Sequence, residues 1–72
     1  MDADKFIKIS TAMLSILTSN RMRWSDLQAQ IEKAVTDFDG SVGWYAVSVA
    51  RELETQGKIK RDVGPPAFYS KA

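Results

Sequence analysis

A chain of 72 residues with ten Lys and Arg, nine Asp and Glu, no Cys and no His is the size of one domain. A domain this small buries only about 60% of the surface its unfolded chain exposes, so its stability margin is thin. Without Cys there is no disulfide framework; without Cys and His there is no zinc site of that kind, no Cys–His dyad and no Ser-His-Asp triad. The hydrophobic fraction of 44% and charged fraction of 26% suit a globular domain and not a disordered tail. The most apolar stretch, Phe6 to Leu17, is interrupted by Lys8, Ser10, Thr11 and Ser15, so no membrane contact is expected. Asp2 and Asp4 give the start the wrong charge for a secretory leader. The expectation is a cytoplasmic domain that needs neither metal nor cofactor.

The net charge of +1 divides unevenly. Residues 1–40 carry five basic and six acidic side chains, residues 41–72 five basic and three acidic, and three of the bases fall within Lys58 to Arg61. This is well short of the basic domain that marks a nucleic-acid binder by charge alone. A solvated surface strand accounts for it equally well.

Phe6, Ile9, Met13, Ile16 and Leu17 recur at spacings of three and four, with Ile7 and Leu14 widening the stripe, which predicts a helix over 4–20. Asp2 or Asp4 caps its start and Ser19-Asn20 ends it. Arg21 to Trp24 alternates polar and apolar and reads as a short strand over 21–24. A second helix over 26–37 starts at Ser25, where Gln28 completes a capping box and Trp24 is placed for a hydrophobic staple. Leu27, Ile31, Ala34, Val35 and Phe38 form its buried stripe, and Asp39-Gly40 signals a turn.

The third helix is predicted over 42–56, with Ser41 as N-cap, a buried face of Val42, Ala46, Val49, Ala50 and Leu53, and Gly57 as the stop. A hairpin over 58–71 follows: strand Lys58–Arg61, a turn over Asp62 to Pro66, and a return strand Ala67–Lys71 in which one of Phe68 and Tyr69 belongs to the core and the other to solvent. The prolines suit a loop tip or an edge. The order is helix, short strand, helix, turn, helix, hairpin, an α+β domain.

That order, with the run Ala46 to Gly57 leading into Lys58-Ile59, resembles the winged helix-turn-helix superfamily, whose recognition helix commonly ends in an L-E-x-x-G-x-I/V pattern. The matching residues are Leu53-Glu54-Thr55-Gln56-Gly57-Lys58-Ile59, and the element order matches over nearly the whole chain. The resemblance implies a small three-helix winged helix-turn-helix with a C-terminal β-hairpin wing, and double-stranded DNA as the partner. At about 100° per residue the face opposite the buried stripe carries Trp44, Ser48, Arg51 and Thr55, with Tyr45 on its flank. In the resemblance that face enters the major groove, where Arg pairs with guanine and Ser or Thr serve base edges or phosphates. Ser41 and the first-turn amides would take a phosphate. Lys58, Lys60, Arg61 and Lys71 on the hairpin would reach the flanking backbone, as would Arg21 and Arg23 before helix two.

Structural readings stand beside these. A tryptophan near a helix start is more often packed on a neighbouring element than presented to a ligand. Tyr45 could pack on helix two, and Arg51 could pair with Glu52 or Glu54. Glu52, Glu54 and Asp62 would oppose phosphates. Two functions follow: a DNA-binding transcriptional regulator or accessory factor, nucleoid-associated, with helix one as the candidate dimer surface, or a winged-helix protein–protein interaction module in which Trp44, Tyr45 and Tyr69 anchor a partner. Catalysis is not expected: Asp37 and Asp39 read as turn formers, and no phosphate cradle or calcium loop is present.

Overall fold

The computed structural model describes residues 2–62 and 66–72. Three helices, α1 (Ala3–Ile16), α2 (Trp24–Ala34) and α3 (Val42–Thr55), are joined by strands β1 (Met22–Arg23), β2 (Ile59–Asp62) and β3 (Phe68–Lys71). The strands form one antiparallel sheet in the order β1-β3-β2. This is a winged helix-turn-helix arrangement, with β2 and β3 as the C-terminal wing. No helix among the described residues is long and apolar enough to cross a membrane.

Local chemistry sets three of the six helix ends. Asp2 caps α1, its carboxylate accepting the Asp4 amide at 2.8 Å, and Ser41 caps α3, its Oγ accepting the Trp44 amide at 3.1 Å. The turn before α3 has Gly40 at φ +119°. The last turn of α3 closes as a Schellman motif: the Gly57 amide donates to the Glu54 carbonyl at 3.0 Å and the Lys58 amide to the Leu53 carbonyl at 2.9 Å. Gly57 adopts φ +76°, and a Cβ there would meet nothing within 4 Å. Gly57→Ala therefore costs only the left-handed backbone, about 1 kcal/mol. Urea unfolding should show a lower midpoint at an unchanged slope.

Three boundaries differ from the sequence pattern by two residues or more. Helix α1 ends at Ile16, four residues before Asn20, because Leu17 turns to extended backbone (ψ 142°) while its side chain stays buried. The Thr18 carbonyl then accepts the Lys71 amide at 2.8 Å, fastening the exit of α1 to the end of β3. Helix α2 begins at Trp24, with Arg23 at the cap position and no side-chain cap. The Ser25 capping box does not form. The Trp24 amide donates to the Ala67 carbonyl at 3.1 Å, and Gln28 donates to Glu32 instead. Helix α2 stops at Ala34; Val35 and Phe38 lie past its end yet pack against the core, while Ala34 is exposed.

The buried residues form one cluster: Ile9, Met13 and Leu17 from α1 and its exit, Leu27 and Ile31 from α2, Ala46, Val49, Ala50 and Leu53 from α3, and Ile59 from β2. Across the wing Lys60 faces Ser70, Arg61 faces Tyr69 and Asp62 faces Phe68, while Met22 and Arg23 of β1 continue the ladder opposite Tyr69 and Phe68. Alternation therefore sends Ile59, Arg61, Tyr69 and Met22 to the helix side and Lys60, Asp62, Phe68 and Arg23 to the outer side. Phe68 and Tyr69 do not divide into core and solvent; both are half-buried. Tyr69 packs on the core and on Trp24, 5.2 Å between ring centroids. Phe68 lies under the Arg21 guanidinium at 4.8 Å. Of the turn expected over Asp62 to Pro66, Val63, Gly64 and Pro65 lie outside the described residues.

Candidate nucleic-acid interface

The solvent face of α3 is fixed by the four residues the helix buries, Ala46, Val49, Ala50 and Leu53. Opposite them stand Trp44, Arg51 and Thr55, all exposed, with Ser48 half-buried between. Trp44 is 65% exposed and meets only the edge of Tyr45, centroids 5.0 Å apart. The expectation that a tryptophan here packs on a neighbouring element is not met, because its position points away from α1, α2 and the sheet. The Thr55 hydroxyl donates to the Arg51 carbonyl at 2.9 Å, which leaves it only as an acceptor for a ligand.

Tyr45 belongs to the other flank and to packing. Its ring meets Phe38 edge-on at 5.2 Å and lies 5.1 Å beneath the Lys5 ammonium. It thereby packs on the α2–α3 connection and not on helix two. The same connection is held by the Lys8 ammonium, which donates to the Asp37 carbonyl at 3.1 Å. At the start of α3, Ser41 Oγ takes the Trp44 amide and the Ser41 carbonyl takes the Tyr45 amide. The Val42 and Gly43 amides of the first turn are left to solvent or to an anion.

The ion pairs run differently from the local pattern. Arg51 pairs with neither Glu52 nor Glu54. Glu52 accepts from Gln56 at 3.1 Å. Glu54 turns towards the wing, 3.9 Å from Arg61 Nε. Asp62 is paired with Arg21 at 2.9 Å, so Arg21 braces the turn end of the wing through one carboxylate and one aromatic ring. Two of the three acids near the surface are thus matched by a guanidinium, whereas Arg51 enters neither of the two ion pairs among the described residues. Both pairs are well exposed and contribute little to stability.

The wing bases divide between two faces. Lys60 projects from the outer face and Arg61 from the helix side, while Lys58 and Lys71 are exposed near the end of the sheet that joins α3. The structure therefore gathers Trp44, Ser48, Arg51, Thr55 and Arg61 on one side, with Lys58 and Lys71 at its margin. Lys60 and Arg23 lie across the sheet, and Tyr45 lies behind α3.

One feature has no counterpart in the sequence pattern. A cleft of about 300 Å³ separates α3 from the wing, lined by Trp24, Val47, Arg51, Arg61, Ala67 and Tyr69. Val47, 42% exposed, falls between the buried stripe and its opposite face, and Arg51 is one turn beyond it. That i, i+4 pair was the local signal. The aromatic wall comes from distant segments and has none.

No curated protein and no solved structure matches the chain. Residues 1–68 match a family described as of unknown function, DUF6958, and the match spans enough of the sequence to place the chain in it. The protein belongs to the DUF6958 family.

Proposed function

We propose that this domain binds double-stranded DNA as a small transcriptional regulator or accessory factor of the cytoplasm, working on the nucleoid. Helix α3 enters the major groove through Trp44, Ser48, Arg51 and Thr55, and the wing lies on the adjacent backbone. The observation that carries this reading is the exposed, unpaired Arg51 at the centre of the α3 face, with two of the three nearby acids, Asp62 and Glu54, facing Arg21 and Arg61. Arg51 is free to take guanine O6 and N7 together, while Trp44 offers apolar surface to a thymine methyl group. The superfamily resemblance of the Leu53–Ile59 run supports the same docking.

A single module of this kind covers only about 600–1,000 Å² of protein surface on DNA, so useful affinity calls for a second copy or a cooperating protein. Helix α1 is the surface we assign to that contact, since Ile7 on it is 57% exposed. The competing reading, a protein-interaction module, draws on Trp44 and Val47, large apolar side chains left in solvent on one helix.

A chemical-shift titration with random-sequence duplex at low salt separates the two. Shifts confined to α3 and the wing, fading as salt rises, are the expected result. A spectrum unmoved by duplex at low salt rejects DNA binding and leaves the interaction module.

A further inference from the structure

The cleft between α3 and the wing combines features that ordinary duplex docking does not use. Its walls hold two aromatic rings, Trp24 and Tyr69, packed at 5.2 Å and an interplanar angle of 55°. Two arginines line it from different elements, Arg51 on α3 and Arg61 on β2. The acid beside Arg61, Glu54, is 3.9 Å away, beyond a good hydrogen bond, so that Arg61 can exchange it for a stronger anion. At about 300 Å³ the space is at the small end of ligand pockets, enough for one planar group and its charge but not for a chain segment.

We propose that this cleft binds a single unpaired nucleotide, its base against the Trp24 and Tyr69 side and its phosphate between Arg51 and Arg61. A base inside a duplex has both faces covered by its neighbours, whereas an unpaired base offers a free face to an aromatic side chain, and stacking of that kind tolerates any base. A phosphate takes the forked guanidinium better than any other side chain. Two sources supply the same chemistry, an unpaired nucleotide at the end or gap of a DNA strand and a free mononucleotide. The first rests on the DNA-binding reading: at a strand end Arg51 turns from a base edge to the phosphate of the unpaired nucleotide, while its neighbours on α3 hold the adjoining duplex.

The test uses Trp44→Phe, which keeps an aromatic ring on the α3 face and leaves Trp24 as the sole tryptophan; blunt-duplex affinity is measured by anisotropy on the parent as well, so that a loss caused by residue 44 is seen. Its fluorescence is followed during titration with deoxyadenosine monophosphate, with a blunt duplex, and with the same duplex carrying three unpaired adenines. The expected result is quenching of Trp24 by the tailed duplex and affinity about fivefold or more above the blunt one. Arg61→Ala, at an exposed position, should remove that preference while thermal melting shows a folded domain. Quenching by the mononucleotide as well extends the site to free nucleotides; quenching by the tailed duplex alone assigns it to strand ends. If neither ligand quenches Trp24, the proposal is overturned. Binding of the blunt duplex without quenching by any ligand would sink the cleft proposal and spare the DNA-binding reading, and quenching by the mononucleotide without duplex binding would do the reverse.

Discussion

Leu53→Ala is expected to lower the unfolding free energy by about 2–5 kcal/mol. The side chain is 1% exposed and sits in the last turn of α3, where its carbonyl also accepts the Lys58 amide that starts the turn into β2. Truncation leaves a cavity where the third helix and the wing meet. In a 72-residue chain the core rarely supplies more than about 3–5 kcal/mol of net stability. The variant should therefore be largely unfolded, or melt at least about 10 °C below the parent, at roughly 4–8 °C per kcal/mol for a domain of this size. Circular dichroism melting measures this directly. Trp44→Ala is the control: with the side chain mostly in solvent, its effect should fall within about 0.5 kcal/mol. A melting temperature unchanged by Leu53→Ala would mean that the α3–wing junction is not packed as described.

Arg51→Ala carries the largest expected effect on binding, about 1–3 kcal/mol or roughly 5- to 150-fold against a preferred duplex, with relaxed discrimination at one base pair. The reason is position: Arg51 is exposed at the middle of the α3 face and held by no carboxylate. Lys58→Ala, at the margin of that face, should act differently, weakening all duplexes alike and reducing the slope of log affinity against log salt by about one. Fluorescence anisotropy at several salt concentrations distinguishes the two patterns. If both variants bind as the parent does, α3 and the wing are not the DNA surface.

What the sequence revealed about the fold follows the range of each interaction. The α3 core stripe, the Ser41 cap and the Gly57 stop are all made within one or two helical turns, and all three are seen in the structure. Helix ends set from afar could not be read. Leu17 keeps the apolar spacing of α1 while its backbone has already left the helix, because periodicity reports where side chains go and not what the backbone does. Ser25 and Gln28 make a good capping box on paper, but the Ala67 carbonyl, more than forty positions away, takes the Trp24 amide, and α2 starts two residues earlier. The candidate site divides in the same way. Trp44, Ser48, Arg51 and Thr55 share a face by helical arithmetic alone. The cleft does not follow from it, since Trp24, Arg61 and Tyr69 come together only once β1 and β2 flank β3. The loss of Arg61 and Arg21 to Glu54 and Asp62 likewise depends on that sheet.

Arg23 is at once the last residue of β1 and the cap residue of α2, so no linker joins sheet to helix. A wing attached by a loop could swing, and closing it on a ligand would consume conformational entropy at the moment of binding. Here rotation of the sheet about that seam would break the Trp24–Ala67 hydrogen bond and unwind the first turn of α2. That seam holds the wing in register with α2, so a ligand taken up by the cleft would lose little binding energy to ordering the protein.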